Sequence, residues 1–195
     1  MRQSGFDPGK FVLHESHFEH KSLLHGINHT FRVMCHVLNL GKRLKWERET
    51  RLAFCAAFIH DMSRMHDGYC TKHGHWAARD KLPVFSDFFL SQGANSFEIE
   101  EIKAAVINHS EGFELPANHR FRKTTALLKD ADALDRIRLG DENLDPSFLR
   151  FDFTVQFVPF ANALFYQTDH LSLQKFDQII EIAVDLSNFL PPNLR

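Results

Sequence analysis

The chain has 195 residues, 44% hydrophobic and 25% charged, a composition expected of one globular domain with a sizeable core. Its 23 Lys and Arg against 25 Asp and Glu leave a net charge of −2; neither sign gathers into a block, so a nucleic-acid polymer is not expected as a partner. No apolar run approaches the roughly 20 residues that cross a bilayer, and the opening MRQSGFDPGKFVLHESHFEH lacks the apolar centre of a signal peptide, so a cytoplasmic protein with no membrane partner is expected.

Apolar positions recur at helical spacing through most of the chain and alternating β-branched runs are scarce, which predicts an all-α domain spanning 1–195. Helices are predicted near 17–40, 46–62, 74–91, 96–109, 121–138 and 172–190, with no repeat, linker or low-complexity tract between them.

In the first helix, Leu24, Ile27, Phe31, Met34 and Leu38 form one stripe, and His25, His29, Val33, His36 and Leu40 form a second, with Gly41 expected to end it. A lone histidine on an apolar face is more often a satisfied core residue than a ligand. The second helix is apolar all round from Leu52 to Ile59, which places it at the centre of the fold. His60 and Asp61 emerge at its end. A buried imidazole beside a buried carboxylate is costly unless both are hydrogen-bonded or bound to a metal. Adjacent helical residues point about 100° apart, so an ion shared by both lies in the groove they straddle, and its remaining ligands are distant in sequence.

Arg64 follows the pair, His73 and His75 open the third helix with Lys72 just ahead of them, and Pro83 is expected to break or kink it. Asn95 and Glu98 have the spacing of a capping box for the fourth helix. Ile99, Ile102, Val106 and His109 share one stripe there, so His109 faces inward. On the fifth, Asp130, Asp132 and Asp135 lie among Leu127, Leu128, Ala131, Leu134 and Ile137, and Gly140 follows. Periodicity does not choose between Asp130 and Asp132, and Asp132 has the spacing for a plain salt bridge to Arg136. The segment 141–170 is rich in phenylalanine without clear period, and Pro191-Pro192 is expected to stop the last helix. The cysteines, Cys35, Cys55 and Cys70, suit neither a disulfide framework nor a CxxC zinc site; Cys35 and Cys55 read as reduced core residues.

Taken in order, HGINHTFRV, FIHDMSR, HGHWAA, VINHS and KDADALDRIR resemble the HD-domain superfamily of metal-dependent phosphohydrolases, whose signature is a histidine, an adjacent His-Asp pair and a later aspartate. The resemblance covers roughly residues 25 to 138. It implies a helical bundle of the HD-domain type and a divalent metal ion (Mn, Co, Ni, Fe, Zn or Mg) held by His29, His60, Asp61 and Asp132. The resemblance, not the spacing, favours Asp132 over Asp130. One ion is expected, and a second is left open. Asp61 is expected also to orient or deprotonate the attacking water, with His73 and His109 as ligands of a second ion or hydrogen-bond donors to the leaving group. For phosphate the nearest cations in sequence are Arg64, Lys72 and Arg136. The implied activity is hydrolysis of a small phosphoester, a nucleotide in the first instance. The alternatives are a metal-stabilised nucleotide sensor or interaction module without catalysis, and a di-iron oxygenase. A role for residues 151–165 in closing the pocket or in forming a homo-oligomer is left open.

Overall fold

The computed structural model describes residues 5–140 and 143–194. Among them are eight α-helices and, apart from one isolated bridge between Val12 and Lys175, no β-structure. The helices are α1 (Ile27–Leu44), α2 (Glu47–Ile59), α3 (His73–Asp80), α4 (Leu82–Ser91), α5 (Ser96–His109), α6 (Arg122–Leu134), α7 (Val158–Thr168) and α8 (Phe176–Asp185). The all-α class is as the sequence implies, and no helix among the described residues is long and apolar enough to cross a membrane.

The central place goes to α2, whose residues Leu52 to Ile59 are all buried by α1, α5 and α6. Each large aliphatic or aromatic side chain buried there contributes about 1.5–3 kcal/mol, which holds this helix at the centre of the bundle. Both stripes of α1 are covered, because it touches α7 and α8 as well as α2 and α6. The approach of α1 to α2 needs a glycine: a Cβ on Gly41 would lie 1.9 Å from Thr50 Oγ1. At the N-terminal end of the chain, the Phe11 ring packs edge-on against Phe54, Phe58 and Phe88, at 4.8, 5.1 and 4.8 Å between centroids. Cys35 and Cys55 are buried and unpaired.

Several boundaries differ from the sequence expectation. Helix α1 begins at Ile27 rather than near residue 17, because Ser22 Oγ accepts from the backbone N–H groups of Leu24 (3.0 Å) and His25 (2.8 Å) and turns the chain. It then runs through Gly41 to Leu44, where Lys45 takes the left-handed conformation at φ 58°. The predicted 74–91 helix divides at Lys81, with Pro83 in the first turn of α4. The capping box of α5 is formed as expected, Asn95 Oδ1 accepting from Phe97 and Glu98. Helix α6 gives way at Leu134 to a 3-10 turn, Asp135–Leu139, closed by Gly140 at φ 116°. The last helix is shorter than predicted, ending at Asp185 well before Pro191.

The Phe-rich segment contains α7, whose Phe160 and Leu164, with Phe157 just before it, fill the core. It is held by Asp130, which accepts from Arg150 N (2.8 Å), Phe151 N (3.1 Å) and Thr154 Oγ1 (2.7 Å). Residues 141 and 142 lie outside the described part of this segment.

Candidate metal centre

Helix ends meet where α2 stops. His60 caps α2 and Asp61 follows it; His29 lies in the first turn of α1, His73 is the first residue of α3, His109 the last of α5, and Asp132 belongs to the last turn of α6. A helix end presents side chains to a point without the helix's own bulk in the way, and five elements do so around the Asp61 carboxylate.

The two oxygens of that carboxylate face different imidazoles. Oδ2 is 2.9 Å from His25 Nδ1, 3.4 Å from His29 Nε2 and 3.8 Å from His60 Nε2. Oδ1 is 3.0 Å from His73 Nε2 and 3.6 Å from His109 Nε2. Asp132 Oδ1 lies 3.4 Å from His29 Nε2. Three sets of donor atoms are close enough to share an ion: His25, His29 and Asp61; His29, His60 and Asp132; and His60, Asp61 and His109.

The outer nitrogens show which way the inner ones are disposed. Nδ1 of His60 meets Ala57 O at 2.6 Å, that of His109 meets Val106 O at 2.6 Å, that of His73 meets Cys70 O at 2.8 Å, and that of His29 meets Asp135 Oδ2 at 2.7 Å. An acceptor at each Nδ1 places the ring proton there and leaves a lone pair on each Nε2. Yet the Nε2 atoms of His29 and His60 are 3.2 Å apart, and those of His73 and His109 only 2.9 Å. Lone pairs at such distances repel unless a proton or a metal ion lies between them. Asp132 Oδ1, buried and without a hydrogen-bond partner, adds an anionic donor to the same point. Imidazole and carboxylate in this mixture are the ligands divalent transition metals prefer. The residues present therefore fit a metal ion.

The family model described as HD domain matches residues 26–137, which contain this entire arrangement except His25. The chain belongs to the HD-domain family. That family implies the metal-dependent phosphohydrolase superfamily. Searches of the curated proteins and of the solved structures give no match.

Within this HD domain, the electrostatics follow from burial. His60 is entirely buried, and loss of hydration holds it down at about 3, against the pull of Asp61. Burial pushes Asp61 and Asp132 up, but facing cationic and hydrogen-bonding groups win: the neighbouring histidines hold Asp61 well below the usual carboxylate range, and Arg138, His29 and His60 bring Asp132 to about 2. Behind His29, Asp135 is fully buried and also accepts from Arg32 Nε at 2.6 Å. Burial opposes its charge, but Arg32 and the His29 hydrogen bond keep it far below the ordinary range.

The sequence-predicted residues fall into three groups. His29, His60, Asp61, His73, His109 and Asp132 come together. Arg64 joins them at the edge, with Nη1 3.7 Å from Asp61 Oδ1 and 3.3 Å from His73 Nδ1. Lys72 is exposed before α3, with no contact to the cluster among the described residues. Arg136 does not bridge to Asp132; its Nε donates to Asn143 O at 2.9 Å, and it is Arg138 that approaches Asp132, at 3.9 Å. Asp130 turns away into the contacts described above.

Sequence reasoning missed the roles of His25, Asp135 and Arg138. The signals were present, since His25 stands four residues before His29 and Asp135 three after Asp132. A cavity of about 340 Å³ opens beside the cluster, with His109 and Asp132 in its lining. A larger one of about 630 Å³, lined by Leu13, Phe18, Ile27 and Leu171 among others, contains no member of the cluster.

Proposed function

We infer that this HD domain is a phosphohydrolase that cleaves a small phosphoester, a nucleotide in the first instance, using one divalent ion held by His29, His60, Asp61 and Asp132. His73 and His109, on the other oxygen of Asp61, offer donors for a second. The observation that carries the reading is the set of four Nε2 lone pairs turned inward on one buried carboxylate, beside a cavity large enough for a small ligand. A bound divalent ion supplies Lewis acidity, lowering the pKa of water and offsetting charge on phosphoryl oxygens.

The chain's own groups divide the remaining work. Asp61, with Oδ2 toward His25, His29 and His60 and Oδ1 toward His73 and His109, orients the attacking water and takes its proton. Arg64 and Arg138 place guanidinium groups on two sides of the cluster, where they meet phosphate oxygens. His73 and His109, where they carry a proton, donate to the leaving oxygen.

The test is phosphate release from a panel of nucleotides and p-nitrophenyl phosphate after supplying Mn, Co, Ni or Mg. The expected result is turnover of at least one member, lost by about 10³-fold or more in Asp61→Ala, the scale set by removing a general base or a metal ligand. Metal binding without turnover of any phosphoester would replace this reading with that of a sensor.

A further inference from the structure

Among the five histidines around Asp61, His25 is the exception. The other four carry their ring proton on the outer Nδ1 and turn a lone pair inward, so none of them gives the carboxylate a hydrogen bond. His25 faces it with Nδ1, 2.9 Å from Oδ2. A charged carboxylate only accepts, so this nitrogen carries the proton and donates; Arg138 Nη2 passes it at the longer distance of 3.3 Å. The last torsion of an aspartate side chain is broad and roughly two-fold. Arg64, 3.7 Å from Oδ1, stands too far off to hydrogen-bond it, which leaves the His25 proton to fix which oxygen faces which imidazoles.

The His25 ring is itself placed by a short polar chain. Ser22 Oγ accepts from the backbone N–H groups of Leu24 (3.0 Å) and His25 (2.8 Å) and gives its own proton to Asp67 Oδ1. The whole bonding capacity of that hydroxyl is therefore in use. The turn is tight enough to need a glycine at its far end, since a Cβ on Gly26 would stand 2.3 Å from Ser22 O. Asp67 lies on the loop that follows Asp61, with its second oxygen 3.4 Å from His20 Nε2. Arg64 folds that loop back on the cluster, its Nη2 donating to Gly68 O at 2.8 Å. Ser22 and His25 both precede the HD-domain segment 26–137, and Asp67 belongs to none of the three donor sets.

We propose that His25 is a positioning residue of the metal centre, its Nδ1–H fixing the Asp61 carboxylate, and that Asp67 holds His25 in place through Ser22. A relay from an exposed loop thus sets the affinity of the site for its ion. The proposal rests on the metal site within the phosphohydrolase reading and not on the reaction.

The experiment measures the Mn affinity of the full chain by competition with a chromophoric chelator, in wild type, His25→Leu, His25→Asn, Asp67→Ala and the double variant His25→Leu/Asp67→Ala. Leucine has no donor, whereas asparagine places an amide N–H as many bonds from the main chain as the imidazole Nδ1–H. His25→Leu is expected to weaken binding by about 10–100-fold, His25→Asn to stay within about threefold of wild type, and Asp67→Ala to lose about three- to tenfold, the scale of one hydrogen bond. The double variant is expected within about twofold of His25→Leu alone, because Asp67 acts through the residue already removed. Asp67 is exposed, so its variant keeps the test decisive should His25→Leu fail to fold. Wild-type affinity in His25→Leu would overturn the positioning role, as would an asparagine variant as weak as the leucine one, which would make His25 a ligand. No loss in Asp67→Ala, or additive losses in the double variant, would overturn the relay. A wild type that binds no Mn overturns the proposal together with the metal site. The expected affinities without turnover of any phosphoester keep the proposal and remove the phosphohydrolase.

Discussion

Asp135 lines neither of the two cavities described, yet two buried side chains depend on it. His29 gives it the Nδ1 proton and Arg32 its Nε proton, at 2.7 and 2.6 Å, all three being fully buried. A carboxylate behind a ligating histidine fixes its tautomer and strengthens the opposite nitrogen as a donor. Asp135→Asn is therefore expected to weaken metal binding by about 10–100-fold, read by competition with a chromophoric chelator. It should also cost up to about 3–5 kcal/mol in denaturant unfolding, because Arg32 keeps its buried charge with only the half-exposed Asp169, 3.7 Å away, as a counter-charge. Asp130 and Asp132 provide a sharper contrast. Asp130→Asn should lose about 1–3 kcal/mol of stability through its contacts to residues 150–154 while retaining metal. Asp132→Asn should lose metal with little change in the unfolding of chelator-treated protein. The opposite pattern would exchange the roles of the two acids. The local motif contained His29, the His60-Asp61 pair and Asp132, and their neighbours in sequence made them readable. The choice between Asp130 and Asp132 was not readable from spacing, since it depends on where the distant segment 150–154 returns to α6.

The helices bring these residues together through close approaches. A Cβ on Gly74 would stand 2.3 Å from Val106 O and 2.9 Å from Ile107 O, so α3 lies nearly against the backbone of α5, and His73 reaches His109 for that reason. Gly74→Ala is expected to destabilise the protein by about 1–3 kcal/mol, as overpacking of a tight contact does, and to lower metal retention in the same preparation; wild-type values for both would mean that α3 shifts freely. The elements readable in the sequence were those with local punctuation: the Asn95–Glu98 box set the start of α5, and the unbroken apolar run set α2 at the centre. The start of α1 was missed because it is set by tertiary contacts. Ser22, which turns the chain ahead of Ile27, also hydrogen-bonds Asp67 from the loop after α2. His25 consequently leaves the helix it was assigned to and meets Asp61 from outside it.

At the scale of the whole molecule, burial of neutral histidines makes stability depend on pH. His36 is fully buried against Phe160, both ring nitrogens lack a partner, and loss of hydration lowers its pKa from 6.5 to about 4. The unfolded chain binds a proton there below pH 6.5 and the folded chain does not until about pH 4. Stability is thus fully present above that window and falls with pH inside it, by about 1.4 kcal/mol per unit for this one group. Unfolding of chelator-treated protein followed from pH 7 to 4.5 should show the slope, and His36→Leu should remove about one proton's share of it; an unchanged slope would mean His36 titrates normally. The phenylalanine-rich segment also acquires its role only at this scale: without a period of its own, it takes the shape of the surface left by α1 and α6 and contributes Phe157 and Phe160 to one continuous core.

The central claim is that the Asp61-centred histidine cluster is a divalent metal site. Elemental analysis of purified wild-type protein beside the His60→Ala/Asp61→Ala double variant, after exposure of both to Mn, Co, Ni, Fe, Zn and Mg in turn and removal of unbound ions, tests it directly. The account predicts at least one divalent ion per wild-type chain and none in the variant. A wild-type chain that retains no ion under any of these conditions, or a variant that retains as much as the wild type, would contradict it.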